Sequence, residues 1–551
     1  MGSLIVPSSK SGAEIVVDTL IEAGVRHVFG IVSIHNMPIV DAISRSDDIE
    51  MITARHEGSA AHMADGYARA TNNFGVVLGS TGPGTTNLMT GLYEADFASS
   101  RLLAITGQAE TAFYGKGKGY VHEAENQKLM LQTATSVVAS PRYVQEVGPA
   151  LKGVIETMLG GRPGPGAIEI PIDLQYEMTA DEVRPLRIPD AVAPDPEKLA
   201  AAVSLIGGAS KRIILAGGGI SDETARNALQ TFAEQLDAPV ITTANGKGAF
   251  PVDHPLHMGN ALMRPPVKAL VSEADLLISI ATRFQAGTGG VKIKLDLPTM
   301  LHIDIEPKNI NLTFAAEVGL VSDATAALTE LSKNTFEKGD AQYREKVQSV
   351  VAQTNVNMRE GIGPDHAKAL DIFSKHLEDG VLFVRDSTIP GYNWGNTLLP
   401  IDNAGGYIFP TSGAIGPGLP LGLGVAVATG KRTIIMHGDG GFMFHVGELA
   451  TAAQYQLPAV VVIFNDGGYG VLRGLQSNQF DGRFNETELN TPDFVKLAES
   501  MGVPGLYVDN VDELEEKLAD AVGRSGPVLV EINANNMVPI NGVVPAPSKG
   551  A

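Results

Sequence analysis

Two apolar runs, each ending in an acidic, glycine-rich turn, constrain this chain most. Arg432–Met436 leads into His437-Gly438-Asp439-Gly440, and Pro458–Phe464 leads into Asn465-Asp466-Gly467-Gly468. Short runs that are apolar throughout read as strands of a parallel sheet covered on both faces. Between them, Phe442–Gln456 carries apolar residues at helical spacing, so the unit reads as strand, helix, strand. Asp439 and Asp466 then emerge at the carboxyl ends of two parallel strands, where open α/β sheets bind ligands. Hard oxygen donors beside glycine backbone suit Mg²⁺ on a diphosphate. That ion takes one or two carboxylates and fills its octahedron with phosphate and water. Glycines let N–H groups close on the phosphate oxygens. The competing reading is an ordinary unit with acidic turn residues, and the second acidic turn weakens it.

Composition narrows the classes. A chain of 551 residues has room for three domains of ordinary size. Charged residues make up only 19%, below the usual quarter, which implies extensive burial within domains or between subunits. The net charge of −21 argues against a nucleic-acid or anionic-membrane partner. The chain has no uninterrupted apolar run long enough for a membrane span, and Met1–Gly12 lacks an apolar signal core. With no Cys, disulfides, thiolate nucleophiles and cysteine metal sites are excluded. The expected setting is cytoplasmic.

The alternation of strand and helix patterns predicts an α/β chain of three doubly wound parallel-sheet domains. The first spans 1–180, with strands at Val25–Gly30, Gly75–Ser80, Leu102–Thr106 and Gly166–Ile170. The second spans 197–340 and contains the glycine turn Gly217-Gly218-Gly219. The third spans 366–551 and ends in the tail Val538–Ala551. Gln175–Pro196 and the polar stretch Glu337–Asp365 read as linkers. No sequence repeat relates the first block to the third.

Three further segments carry chemistry. Arg55-His56-Glu57-Gly58-Ser59-Ala60-Ala61 opens a helix that continues through Ala64-Asp65-Gly66-Tyr67-Ala68-Arg69. A lone glutamate at such a start is usually a dipole partner. Ser80-Thr81-Gly82-Pro83-Gly84 is a strand end and glycine turn before another helix, and Ser412-Gly413-Ala414-Ile415-Gly416-Pro417 is a glycine-rich loop. Together with the acidic turns, these resemble the thiamine diphosphate (ThDP)-dependent decarboxylase and carboligase family of acetolactate synthase, benzoylformate decarboxylase and benzaldehyde lyase. The resemblance covers nearly the whole chain. One departure is Asp466, which stands where the family's second Asn usually ligates the metal.

The resemblance implies a pyrimidine-binding, a central and a diphosphate-binding domain. It makes Glu57 the carboxylate that activates the cofactor's aminopyrimidine. It gives Asp439, Asp466 and Gly468 to Mg²⁺. Gly438, Gly440, Gly441, Tyr469 and Gly470 complete the diphosphate loops, with Thr388 beside them. The Gly413 carbonyl would accept from the aminopyrimidine, Ile415 would wedge between the cofactor rings, and Gly82 would line the thiazolium side. His35 falls where benzaldehyde lyase has a histidine. Gln108 matches a Gln that lies near substrate in acetolactate synthases and benzaldehyde lyase, and His122 falls where acetolactate synthases read Phe-Gln-Glu. His35, Gln108 and His122 join Glu57 as catalytic candidates.

The substrate implied is a small-molecule carbonyl compound, either a 2-oxo acid or a 2-hydroxy ketone. A homodimer is the minimal active unit and a homotetramer the expected assembly. Leu475 replaces a Trp that selects the acceptor in acetolactate synthases, which puts acetohydroxyacid synthesis in doubt. FAD is the less favoured addition. Thr282-Arg283-Phe284 and His302-Ile303-Asp304 resemble flavin-containing relatives, but Met258-Gly259-Asn260-Ala261 stands in place of their Gly-Met-His-Gly. The alternatives are a ThDP-dependent 2-hydroxyacyl-CoA lyase, a FAD-containing acetohydroxyacid synthase or oxidase, and a degenerate binding protein. The retained Glu57, Asp439 and Ile415 weigh against the last.

Overall fold

A computed structural model describes residues 9–181, 183–285 and 295–543. Part of the C-terminal tail, like Met1–Ser8, lies outside the described residues. The architecture is α/β with three parallel sheets. The first sheet comprises β1 (His27–Gly30), β2 (Glu50–Thr53), β3 (Gly75–Gly79), β4 (Leu102–Gln108), β5 (Val137–Ala139) and β6 (Gly166–Pro171). Their order is β2-β1-β3-β4-β6-β5. The central sheet holds β7 (Arg212–Ala216), β8 (Val240–Thr242), β9 (Leu276–Ile280), β10 (Met300–Asp304) and β11 (Val318–Val321), in the order β8-β7-β9-β10-β11. The third holds β12 (Leu382–Arg385), β13 (Tyr407–Ile408), β14 (Thr433–Gly438), β15 (Ala459–Asn465), β16 (Gly505–Val508) and β17 (Val528–Asn533).

The order of the third sheet is β13-β12-β14-β15-β17-β16. It repeats the order of the first sheet, a relation invisible in the sequence. In each, the chain reverses direction across the sheet beside the first strand. That switch opens a crevice outside the strand ends, between β1 and β3 in one sheet and between β12 and β14 in the other. The strands are apolar because both faces are covered: Val460 to Ile463 of β15 are all fully buried.

The chain forms two compact units. One holds the residues up to Asp190 with Pro410–Gly430 and His445–Leu457, and the other holds the rest. The first unit is organised by α1 (Glu57–Thr71), α2 (Pro83–Ala98), α3 (Gln127–Gln132) and α4 (Gly418–Thr429). Helix α1 is buried by small residues and not by a broad apolar stripe. A Cβ on Gly66 would lie 2.0 Å from the Leu421 carbonyl oxygen, and one on Gly424 would lie 1.9 Å from that of Met63. Helices α1 and α4 therefore meet backbone to backbone. A Cβ on Gly91 of α2 would lie 2.4 Å from that of Ala61, so α2 packs on α1 in the same way.

Three expectations need correction. Glu337–Asp365 is mostly a helix, Ala341–Gly361, capped by the Asp340 side chain. Its buried residues are Tyr343, Val347, Val351 and Thr354, a stripe too narrow to lift a polar sequence above the look of a linker. The stretch read as a linker from Gln175 opens in the short helix Ile172–Tyr176, and Met178–Thr179 then pairs antiparallel with Lys10–Ser11. Phe442–Gln456 is broken: a turn of helix at Asp439–Phe442, a 3₁₀ turn at Met443–His445, then helix Glu448–Gln454. No described helix is long and apolar enough to cross a membrane.

Candidate active site

In the first unit the carboxyl ends of β1, β3, β4 and β6 gather most of the polar candidates. Glu57 is the first residue of α1, with His56 as its N-cap: the His56 Nδ1 accepts from the Gly58 N–H at 3.0 Å. One Glu57 oxygen accepts from Asn87 Nδ2 at 2.9 Å. The other faces Gly84, whose Cβ would stand 3.2 Å from it. Gly82 has φ +57°, and a Cβ there would lie 2.3 Å from the His122 carbonyl oxygen, so only glycine fits. His122 is itself in the left-handed region at φ 61°. Its ring lies 5.3 Å from that of His35. His35 is buried and its pKa is lowered, first by burial and then by His122, which favours the neutral ring. Thus Glu57, the Gly82–Gly84 turn, His122 and His35 are successive neighbours.

Gln108 ends β4 and belongs to a network the sequence reading missed. Its Nε2 donates to Glu169 at 3.1 Å. Gln127, at the start of α3, donates to the same carboxylate oxygen at 3.2 Å. The Gln127 Oε1 accepts from the Gly82 N–H and from Thr81 Oγ1, both at 2.8 Å. Ser140 and the Tyr114 hydroxyl also donate to Glu169. Glu169 is fully buried in β6. The signal was legible: a carboxylate inside the apolar run Ala167-Ile168-Glu169-Ile170 needs a buried polar purpose. This network holds the Gly82 turn in place from beneath.

The Gly413–Ile415 loop belongs to the first unit too. Glu94 of α2, fully buried, accepts from the backbone N–H groups of Thr411 at 2.6 Å and Ser412 at 3.0 Å and from both hydroxyls. Arg69, bonded also to Asp65, supplies the counter-charge at 2.8 Å. Burial pushes the Glu94 carboxyl up, but Arg69 and the Ser412 and Thr411 hydroxyls outweigh it and hold the pKa low. The Gly413 φ of 83° requires glycine at this bend. Ile415 follows, half-buried.

The second unit carries the acidic turns. Asp439 follows β14 and Asp466 follows β15, on neighbouring strands. The Asp466 N–H lies 3.4 Å from Asp439 Oδ1. Asp439 is fully buried and its Oδ2 has no hydrogen-bond partner among the described residues. Burial, followed by the charge of Asp466, pushes its pKa up to about 8. Burial also raises Asp466, although Arg473 acts against it. A buried carboxylate with an orphaned oxygen, beside a half-buried second carboxylate, is costly unless a cation joins them. Among the described residues no three His, Cys, Asp or Glu side chains cluster as a metal cage. This donor set fits a small divalent ion that completes its shell with phosphate and water.

Three of the glycines around it leave no room for a side chain. A Cβ on Gly440 would lie 2.7 Å from the Tyr469 ring, and one on Gly468 would lie 2.1 Å from the Thr487 carbonyl oxygen. Gly470, the first residue of α5 (Gly470–Gln479), would place a Cβ 1.9 Å from Asp466 Oδ2. Gly438 ends β14 beside Thr388, whose Oγ1 would be 3.5 Å from a Cβ there, and Gly441 continues the Asp439 turn. Leu475 lies exposed on α5.

In the central sheet, Cβ atoms on Gly217 and Gly218 would collide with the Ala281 carbonyl oxygen at 2.1 Å and the Asn245 Cβ at 2.9 Å. The chain's own packing therefore explains these glycines without a bound nucleotide. Asp304 Oδ1 caps the following turn, accepting from the Glu306 N–H at 2.9 Å.

Comparison with known proteins gives the same three-part layout. Residues 10–130, 199–331 and 392–532 match the N-terminal TPP-binding, central and C-terminal TPP-binding domains of thiamine pyrophosphate enzymes. The chain is 32% identical to the probable acetolactate synthase large subunit of Methanocaldococcus jannaschii, over 95% of this chain and 91% of that protein. It is 30% identical to the acetolactate synthase isozyme 3 large subunit of Escherichia coli, over 93% and 92% respectively. With those three domains matched in order, and relatives of 30% identity or more covering over nine-tenths of the chain, the chain belongs to the thiamine diphosphate-dependent 2-oxo acid enzyme family.

Proposed function

We propose that this enzyme cleaves or forms carbon–carbon bonds on a 2-oxo acid or 2-hydroxy ketone, with Mg²⁺ and ThDP, in the manner of acetolactate synthase. The observation that carries this reading is the pair of buried Asp439, with its orphaned oxygen, and half-buried Asp466, in a chain matched over 95% of its length by an acetolactate synthase large subunit. Bound ThDP supplies the nucleophilic carbon and the electron sink; the side chains bind, orient and move protons. Asp439, Asp466 and the Gly468 carbonyl would hold Mg²⁺, and the loops of Gly438, Gly440, Gly441, Tyr469 and Gly470 beside Thr388 would hold the diphosphate. Glu57 would bond the aminopyrimidine through the oxygen that does not accept from Asn87. The Gly413 carbonyl would accept from the same ring, and Ile415 would pack against the cofactor.

His35 and His122 are the proton-handling pair above the Gly82 turn. A neutral His35 accepts a proton or donates one hydrogen bond to a substrate oxygen. Gln108, fixed by Glu169, orients the substrate carbonyl. The domains of this reading are 1–180, 197–340 and 366–551, each built on one of the three parallel sheets. The minimal unit is a homodimer in which Glu57 of one subunit serves the metal half of another, assembled further into a cytoplasmic homotetramer.

The test is a panel of 2-oxo acids and 2-hydroxy ketones with Mg²⁺ and ThDP, with CO₂ release and coupled product measured separately. Turnover of pyruvate to a five-carbon acetohydroxyacid establishes the synthase reading. Aldehyde with no coupled product establishes a decarboxylase, and no turnover of any member removes the proposal. FAD is the less favoured addition, because Met258-Gly259-Asn260-Ala261 stands in place of the flavin-contacting Gly-Met-His-Gly; a yellow purified protein with bound FAD would establish it.

A further inference from the structure

Asp466 brings a second negative charge to a position that needs only one oxygen. The structure shows what answers it. Arg473 lies one turn into α5, its side chain fully buried. Its Nη2 donates to Asp466 Oδ2 at 2.7 Å and to the Asp466 carbonyl oxygen at 3.1 Å. Its Nε and Nη1 are buried without a hydrogen-bond partner among the described residues. Oδ2 is closed in from a second side by Gly470, where any side chain would strike it. Only Oδ1 of Asp466 remains for a cation.

We infer that Arg473 is a positioning residue that converts Asp466 into a one-oxygen, charge-compensated metal ligand. This rests on the reading of Asp439 and Asp466 as the Mg²⁺ ligands. The argument is electrostatic. Two carboxylates and one guanidinium leave one net negative charge beside the cation, the same as one carboxylate and one neutral amide. Without Arg473 the pair would carry two, and the extra charge would face the diphosphate. Without Asp466 the guanidinium would be a buried cation with no counter-charge, next to a divalent metal. A charge buried without its partner is costly, whereas removing both partners is far less so. Asp466 and Arg473 are therefore a matched exchange for a neutral ligand. The two free Arg473 nitrogens add donors to the same buried region, and charge-assisted bonds of this kind suit phosphate oxygens.

The experiment is a double-mutant cycle read by binding. Wild type, Asp466→Asn, Arg473→Met and the double variant are titrated calorimetrically with Mg²⁺ alone and with ThDP at saturating Mg²⁺. Arg473→Met should weaken ThDP binding by about tenfold to a hundredfold, as changes behind metal ligands commonly do. Asp466→Asn alone should weaken Mg²⁺ binding, because it leaves Arg473 facing the metal uncompensated. The double variant should bind ThDP more tightly than Arg473→Met, to within roughly threefold of wild type, since the interacting pair is removed as a unit. Arg473→Lys, which keeps the charge, should hold ThDP near the wild-type affinity, and it decides the matter if Arg473→Met does not fold. A double variant no better than Arg473→Met overturns the inference. So does an Arg473→Met protein with unchanged ThDP affinity; where that variant does not fold, an Arg473→Lys protein that loses ThDP binding, or an Asp466→Asn protein with unchanged Mg²⁺ affinity, overturns it. Failure of the wild type to bind Mg²⁺ and ThDP would strike the ligand reading itself.

Discussion

Substituting Gly424 by Ala tests the backbone contact between α1 and α4. In an open helix this change stabilises by about 1 kcal/mol, because Ala is the better helix former. Here the new methyl would lie 1.9 Å from the Met63 carbonyl oxygen. An unstrained contact between carbon and carbonyl oxygen is roughly 3.3 Å, so the helices would have to part by about 1.4 Å. Neither side can yield by rotating a side chain, because the atom struck is backbone. Overpacking costs about 1–3 kcal/mol, and a rigid contact belongs at the top of that range. The net effect is a loss of about 2 kcal/mol after the propensity gain. Gly153→Ala is the control. It sits in the helix Val144–Leu159 with nothing within 4 Å of an added Cβ, and it should stabilise. The assay is urea unfolding, with midpoints compared between the two variants because a chain of this size need not unfold in two states. Since α1 begins at Glu57, Gly424→Ala should also weaken ThDP binding. Equal midpoints for Gly424→Ala and Gly153→Ala would refute the reasoning.

Glu57→Gln should leave ThDP binding within a few-fold of wild type while lowering turnover by about a hundredfold or more, as expected for loss of a group that handles a proton; stopped-flow turnover beside calorimetry checks it. Glu169→Leu should leave Gln108 and Gln127 without their acceptor and destabilise by about 1–3 kcal/mol, read in chemical unfolding, with a rise in KM for the carbonyl substrate. His62, fully buried and held near a pKa of about 3 chiefly by burial and then by His445, should make the fold acid-sensitive. Above the unfolded value of about 6.5 both states are neutral. As pH falls, the unfolded chain takes up a proton that the folded chain refuses, which removes about 2 kcal/mol by pH 5. His62→Phe should flatten that slope in unfolding midpoints measured from pH 7.5 to 5. Asp439→Asn should abolish Mg²⁺-dependent ThDP binding measured by calorimetry.

The strand–turn ends were legible because their physics is local. An apolar run, a glycine and an acidic residue state a buried parallel strand and its mouth in one stretch, and Asp439 and Asp466 lie on neighbouring strands as that reading requires. Glu57 was legible as a helix start for the same reason. What escaped was built from distant pieces. Glu169 meets Gln108 and Gln127 across strands, and Glu94 reaches Thr411 across more than three hundred residues. Arg473 escaped because nothing in its own stretch of sequence marks it as buried; the turn of α5 brings it to Asp466. The helix Ala341–Gly361 escaped because its buried stripe is one residue wide. The repeated strand order of the outer sheets escaped because order is fixed by pairing and not by any single segment.

The first unit takes α4 and the helix Glu448–Gln454 from late in the chain, and this has a consequence for synthesis. When Asp190 has left the ribosome, the first sheet is complete, yet α1 still lacks the helix that packs on Gly66, and Glu94 still lacks Thr411 and Ser412. At about 5–20 residues per second the missing pieces arrive roughly ten to fifty seconds later. Through that interval the nascent unit presents a small-residue groove on α1 and a buried ion cluster only partly satisfied. A chain released at Asp190 would stay in that state. The N-terminal third of this protein should therefore be chaperone-dependent when made alone and become protease-resistant only after the segment through Leu457 has been translated.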